Sequence, residues 1–265
     1  LAGVCGANVN LLMGMINHCK KLLIVGGTAE ATALYNRVKT MANIEAIASF
    51  AGRTQQPVTP TNPAAFRIGG FGGVQGLIDY LKQQKIDILI DVTHPFAAQI
   101  SDHAAIAANE CGIKRLMVVR PAWEKVPGDN WVEVDSHSQA TMVLPGLAER
   151  VFLTIGRQEL SAYAEVKNIW FFMRMIDPPQ PNLPIPRGEL LLQRGPFSVV
   201  DELSILREYQ LGAIVSKNSG GDSTYAKIVA ARELKLPVVM VQRPPVPMGE
   251  TVADIESAIA WLQKQ

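Results

Sequence analysis

"LLIVGGTAEATAL" (residues 22–34) passes from an apolar run, through two glycines, into residues with helical spacing. The run reads as a buried strand, and Ala31, Leu34, Val38 and Met41 recur at the interval of one helical face. Dinucleotide folds hold phosphate at such a junction. The N–H groups that open a helix point outward unpaired, and the helix dipole favours an anion beside them. The usual G-x-G-x-x-G fingerprint is missing, since only Gly26 and Gly27 stand here. Both admit a pyrophosphate with no Cβ in the way, and Thr28 brings a hydroxyl to the cap position. Glu30, in the first helical turn, would repel a phosphate, and a ribose hydroxyl suits it better. The same residues also suit a tight turn that holds nothing, because short glycine motifs recur in unrelated chains.

The pattern continues on both sides of this turn. "KLLIV" (21–25), "IEAIASF" (44–50), "IDILIDV" (86–92) and "RLMVV" (115–119) read as strands, with helical periods over 74–81 and 97–110 between them. Continuous apolar strands separated by helices imply a parallel sheet covered on both faces. After "PAWEKVPGDNWVEVDS" (121–136) the grammar restarts with strands "VFLTI" (151–155), "IWFFMRM" (169–175), "GAIVS" (212–216) and "PVVMV" (237–241). A last helix carries Val252, Ile255, Ile259 and Leu262. The stretch "DPPQPNLPIPR" (177–187) is too rich in proline for helix or central strand and reads as an ordered loop or lid. The expected fold is α/β, two lobes with parallel sheets, residues 20–135 and 136–265, hinged near 121–136. The segments 88–121 and 213–244 share one layout of strand, polar turn, alanine-bearing helix, strand and Arg-Pro, either as an internal duplication or as common βαβ grammar.

Bulk properties narrow the function. The 265 residues carry 25 basic and 24 acidic side chains, a formal net charge of +1. No global field attracts nucleic acid or an anionic membrane, so an anionic ligand must be met by local groups. The apolar runs fall short of the roughly 18 residues a spanning helix needs. Cys5, Cys19 and Cys111 form no metal-spaced set, and a reducing cytoplasm is the simplest setting. Residues 1–19 read as an extension upstream of a start at Met13 or Met15, without the charged leading region of a secretory signal.

The end of the second strand selects the cofactor. An acidic residue there suits the NAD ribose, whereas an arginine suits the additional phosphate of NADP. This strand runs into "SFAGRT", with Ser49, Gly52, Arg53 and Thr54 and no carboxylate. A guanidinium pairs bidentately with phosphate, which favours NADP(H) over NAD(H), while the same arginine also suits a solvated loop charge. Thr93 and His94 in "DVTHP" (91–95) end the third strand at the same sheet edge, where they could line the cofactor cleft, and His94, before a proline, equally suits a structural turn with its ring hydrogen-bonded to backbone. "RIGGFGG" (67–73) suits close ligand approach or a plain loop equally.

The ordered set "LLIVGGTAEA", "AGRT", "RIGGFGG", "IDILIDVTHPFAAQIS", "RPAW", "FLTIGRQEL", "RGPF" and "VSKNSGGDSTYAKI" closely resembles the precorrin-6A reductase family of cobalamin biosynthesis, over residues 20–263. The resemblance implies an NADPH-dependent reduction of one double bond of a corrin precursor, cobalt-free or cobalt-containing, between two Rossmann-like lobes. It also implies neighbouring pathway enzymes as protein partners. A tetrapyrrole fringed with carboxylates needs locally concentrated donors. Arg120, Trp123, Arg157, Gln158, Arg174, Arg194 and Lys217 stand at strand ends and turns of the second half. In "SKNSGGDSTYAKI" (216–228), Asn218 and Ser219 offer donors, Gly220 and Gly221 allow close approach, and Thr224 and Tyr225 open the following helix. These residues are the expected substrate contacts. No residue identifies itself as the proton donor. Another NADP-dependent two-lobed reductase, or a small-molecule sensor without turnover, uses the same architecture.

Overall fold

The computed structural model describes residues 19–50 and 66–265. Among them, the chain forms two six-stranded sheets in which every pairing is parallel. The first sheet contains β1 (Lys20–Gly26), β2 (Ile44–Phe50), β3 (Phe66–Ile68), β4 (Ile88–Asp91), β5 (Lys114–Val118) and β12 (Glu250–Val252). The second contains β6 (Asn130–Val134), β7 (Arg150–Thr154), β8 (Trp170–Met175), β9 (Gly188–Leu192), β10 (Ala213–Lys217) and β11 (Pro237–Val241). Their orders are β12-β5-β4-β1-β2-β3 and β6-β11-β10-β7-β8-β9, so each strand of one sheet has a counterpart at the same place in the other.

Alternating side chains send each sheet's apolar residues to two faces. In the first sheet Leu22, Ile24, Ile88 and Ile90 pack under α1 (Ala29–Val38) and α7 (Ile255–Leu262). Leu23, Val25 and Leu89 pack under α2 (Gly73–Gln84) and α3 (Ala98–Cys111). In the second sheet Val151, Leu153, Phe171 and Val215 meet α4 (His137–Val143) and the 3-10 helix Arg157–Tyr163. The opposite face, with Phe152, Phe172 and Ile214, meets α5 (Val199–Glu208) and α6 (Ala226–Glu233). The repeated layout seen in the sequence falls on β4–α3–β5 and β10–α6–β11, which hold equivalent positions.

Sheet membership corrects the expected division at residue 135. After β5 the chain crosses over and adds β6 to the far sheet, beside β11, with Pro237 opposite Asn130. After β11 it crosses back, and β12 joins β5 with Glu250 opposite Leu116. The last helix therefore packs on α1, not in the second lobe, and buries Ala258, Ile259 and Leu262 in the first core. Segment 121–136 is likewise no simple hinge, because it contains β6, and a second crossover at 242–249 runs beside it. An apolar helical face shows that a helix is packed, not which sheet it packs on.

Candidate active site

The carboxyl ends of the first sheet's strands, where open α/β sheets bind ligands, border a cavity of about 410 Å3. Gly26 lines it from the end of β1, Gly27 from the turn that follows, Ser49 from β2, Gly69, Gly70 and Gly72 from the loop after β3, Gly73 from the start of α2, and Thr93 and His94 from the loop after β4. No Lys, Arg, Asp or Glu is among its described lining residues. Each glycine has its own reason. A Cβ on Gly26 would stand 2.2 Å from the Cβ of Ala31, so this glycine lets α1 pack on β1. At Gly27, Gly69, Gly70, Gly72 and Gly73 nothing lies within 4 Å of that position. Thr28 caps α1: its Oγ1 accepts from the Ala31 N–H at 3.2 Å and donates to the Val92 carbonyl at 3.0 Å. Arg67 organises the glycine loop, donating to Ser49 Oγ at 3.0 Å and to the carbonyls of Gly69 and Gly70 at 2.9 and 3.0 Å.

A second cavity of about 420 Å3 lies at the carboxyl ends of the second sheet. Its wall includes Arg157, Gln158, Arg174, Lys217, Ser219, Thr224 and Lys227, with Glu159 and Asp177 as its acidic residues. Phe96, Phe197 and Met175 supply apolar surface. Lys217 pairs with Glu159, and its ammonium lies 5.1 Å from the Phe96 ring centre. Burial pushes the Glu159 carboxyl up, but the Lys217 charge and hydrogen bond outweigh it and hold the carboxyl below its usual range. Behind the pair, His137 Nδ1 meets the Tyr163 hydroxyl at 2.8 Å. Burial, then the Lys217 charge, lowers His137 to about 4.

His94, Phe96 and Ala97 of the first lobe also border this second cavity, and His94 and Ala97 line both. The His94 ring therefore stands at the junction. Its Nδ1 accepts from the Phe96 N–H at 3.2 Å, which leaves the ring proton on Nε2. Burial, then the charges of Arg120, Lys217 and Arg243, push this imidazole down to about 3. At neutral pH it is an uncharged N–H donor and no imidazolium acid.

Several residues expected at a ligand instead hold the crossovers together. Arg120 donates to the Ser219 carbonyl at 2.7 Å and pairs with Glu30. Arg243, its counterpart in the second Arg-Pro, donates to the carbonyls of Asn218 and Arg120, each at 2.7 Å, and of Pro121 at 3.1 Å. Asn218 exchanges two hydrogen bonds with the Trp123 backbone, and the Trp123 indole donates to the Gly221 carbonyl at 2.8 Å. A Cβ on Gly220 would lie 2.0 Å from the Pro121 carbonyl oxygen. Tyr225 packs against Trp123, ring centres 5.7 Å apart, and its hydroxyl accepts from Arg232 at 2.9 Å. Thus Glu30, Arg120, Trp123, Asn218, Gly220, Gly221 and Tyr225, like the capping Thr28, lie outside both cavity walls. Arg194 sits between Gln193 and Gly195, which do line the second cavity. Gly52, Arg53 and Thr54 lie outside the described residues.

The sequence reading missed Glu159, Glu202, Lys227 and Arg243. For Arg243 a signal existed in the repeated Arg-Pro. Glu202 and Lys227 sit on short helices among other charged residues, where nothing in the local pattern separates a buried charge from a solvated one.

Residues 21–263 match the family described as "Precorrin-6x reductase CbiJ/CobK". The chain belongs to that family. It is 46% identical over 243 residues to the precorrin-6A reductase of Rhodococcus erythropolis, covering 91% of this chain and 97% of that protein. It is 41% identical over 244 residues to the enzyme of the same name from Rhodobacter capsulatus, covering 91% and 95%. The cobalt-precorrin-6A reductase of Methanothermobacter thermautotrophicus is 29% identical over 249 residues, covering 87% and 79%. A solved structure titled "CobK precorrin-6A reductase" superposes with a TM-score of 0.84 at 39% identity, covering 92% of this chain and 96% of that one. Among the described residues no helix is long and apolar enough to cross a membrane, and no group of His, Cys, Asp and Glu is arranged to hold a metal ion.

Proposed function

We propose that this protein reduces one double bond of precorrin-6A with NADPH, cofactor in the first-lobe cavity and macrocycle in the second. The reduction follows from family membership. The cobalt-free substrate is favoured because the relatives named for it are 40–46% identical, against 29% for the Methanothermobacter enzyme named for the cobalt form. The observation that carries the placement is the junction at His94, where a ligand in each cavity can bring its reacting carbon to a shared wall.

The first cavity fits a dinucleotide because its glycines leave open space for backbone approach and its wall offers Ser49 and Thr93 as polar partners. Without a fixed charge among the described residues of that wall, the pyrophosphate is met by N–H groups, and Arg53 is the group assigned to the 2′-phosphate. NADPH, when bound, supplies the hydride, and the protein supplies alignment. Arg157, Arg174, Lys217 and Lys227 meet the macrocycle's carboxylates, while Phe96 and Phe197 cover its apolar face. His94 donates its Nε2 proton as a hydrogen bond at the junction and keeps it. The proton that completes the reduction comes from water.

Substrate-dependent NADPH oxidation by the purified protein tests the reading. We expect turnover with precorrin-6A, with no requirement for added metal. We also expect Arg53→Ala to weaken NADPH at least 10-fold more than NADH, as loss of a charge-assisted hydrogen bond implies. Equal loss for both cofactors would remove Arg53 from the 2′-phosphate, and absence of turnover would leave the sensor reading standing.

A further inference from the structure

The wall of the second cavity contains charges that sheet packing does not require. Lys227, near the start of α6, is only 4% exposed, yet its ammonium donates to the Thr224 carbonyl at 2.8 Å and lies 5.0 Å from the Trp123 ring centre. Arg174 from β8 is 5% exposed and Glu202 from α5 is fully buried, and they pair at 2.6 Å. The Arg174 guanidinium is held against two rings, 3.6 Å from the centre of Phe197 and 4.9 Å from that of Phe152. Glu202 thus pairs with Arg174 and also attracts the Lys227 ammonium through its charge, and among the described residues Arg174 Nη1 and Glu202 Oε2 have no hydrogen-bond partner. Such a cluster is costly to bury when empty, since each ion loses its hydration and the network is left incomplete.

We infer that Arg174, Glu202 and Lys227 form a receptor for one carboxylate of the tetrapyrrole, and that its arrival loads a proton onto Lys227. The inference rests on the reading that places the macrocycle in the second lobe. An anion beside Arg174 and Lys227 brings the cluster to two positive and two negative charges and supplies acceptors for the unpaired donor. The groups acting on Lys227 come from each element around it: Glu202 from α5, Arg174 from β8 and the Trp123 ring from the first crossover. Burial lowers the ammonium, Glu202 draws it part of the way back and Arg174 pushes it down again, to about 7. Above that pH the empty site holds a neutral amine, and a carboxylate in contact raises its affinity for a proton. A lysine that only ties α6 to Thr224 would take up nothing on ligand binding.

The experiment is calorimetric titration at pH 8 in two buffers of different ionisation enthalpy, with precorrin-6A in one arm and NADP+ in the other. The wild type is expected to take up about 0.9 proton per macrocycle and none with NADP+. Lys227→Met should abolish the uptake and weaken macrocycle binding roughly 10- to 100-fold. Lys227→Arg, charged at every accessible pH, should bind the macrocycle without uptake, which separates lost charge from lost fold. Binding without uptake in the wild type, or uptake that persists in Lys227→Met, overturns the receptor while leaving the macrocycle in the second lobe. Uptake with NADP+ instead transfers the receptor to a cofactor phosphate and overturns its assignment to substrate. Failure of precorrin-6A to bind the wild type overturns the placement itself.

Discussion

The two sheets repeat one strand order, yet the cavities at their carboxyl ends differ in kind. The first is walled by backbone, with six glycines and no lysine, arginine or carboxylate among its described lining residues. The second is walled by side chains, with four cations and two carboxylates at its surface and Glu202 behind them. The scaffold provides a switch point at each sheet's edge, and loop residues decide what that edge recognises. A dinucleotide is a ligand that peptide N–H groups can grip. A ring fringed with carboxylates calls for distributed charge.

The contrast breaks most sharply at the buried pair. Glu202→Leu leaves Arg174 buried with no carboxylate, and we expect a loss of about 3–5 kcal/mol in urea unfolding. Arg174→Met in the same chain should recover much of that loss, since two apolar groups replace a buried pair at little cost. The double variant should stay folded and lose macrocycle binding while retaining NADPH. Loss of both ligands would mean that the two cavities do not act separately.

Glycines give the next largest effect, and they test whether backbone serves ligands in one lobe and packing in the other. Gly220 has φ +68° and faces the Pro121 carbonyl at 2.0 Å from a would-be Cβ. Gly220→Ala should therefore cost about 3 kcal/mol by strain and displacement of the crossover. Gly70 has open space around it and lines the first cavity. Gly70→Ala should leave the unfolding free energy in urea within about 0.5 kcal/mol of wild type while weakening NADPH roughly 10-fold by filling the cradle. If the two substitutions behaved alike, the division of labour would fail.

How much of this was legible beforehand follows the same physics. The eight strands read from the sequence are the inner strands of the two sheets, together with β5 and β11, β2 and β8, all of which have a neighbour on each side. The four that escaped, β3, β6, β9 and β12, are the four edges. Their sequences, "FRI", "NWVEV", "GELLL" and "ETV", are short or mixed, because an edge faces solvent and needs no continuous apolar run. Two of these edges carry the exchange between lobes, so the exchange was invisible for the same reason. The placement of cavity-lining residues at strand ends, such as Ser49, Thr93, Lys217 and Arg174, was readable from topology. Roles were less so: "SKNSGG" has the grammar of a ligand loop, and most of it instead fastens Trp123 and the Arg-Pro crossovers.

The smallest expected effect concerns the two imidazoles, one from each lobe. His94 and His137 are both pushed below the usual 6.5, to about 3 and about 4. Each ring stays neutral in the folded chain, whereas the unfolded chain binds a proton on it below pH 6.5. The stability these rings permit is therefore complete above 6.5 and falls as the pH drops from there toward the folded values. Between pH 7.5 and 5.5 each should cost about 1.4 kcal/mol. His94→Gln should remove about half of that slope in urea unfolding, with His137 supplying the remainder. Three cations set the His94 value besides burial: Lys217 from the second lobe, and Arg120 and Arg243 from the crossovers. The substitution thus reports on closure between the lobes. An unchanged slope would mean that solvent reaches the ring and that the junction stands open in solution. In the reductase assay, kcat/KM should show no imidazolium limb between pH 5.5 and 7.5 traceable to His94, because a ring lowered to about 3 takes up no second proton in that range.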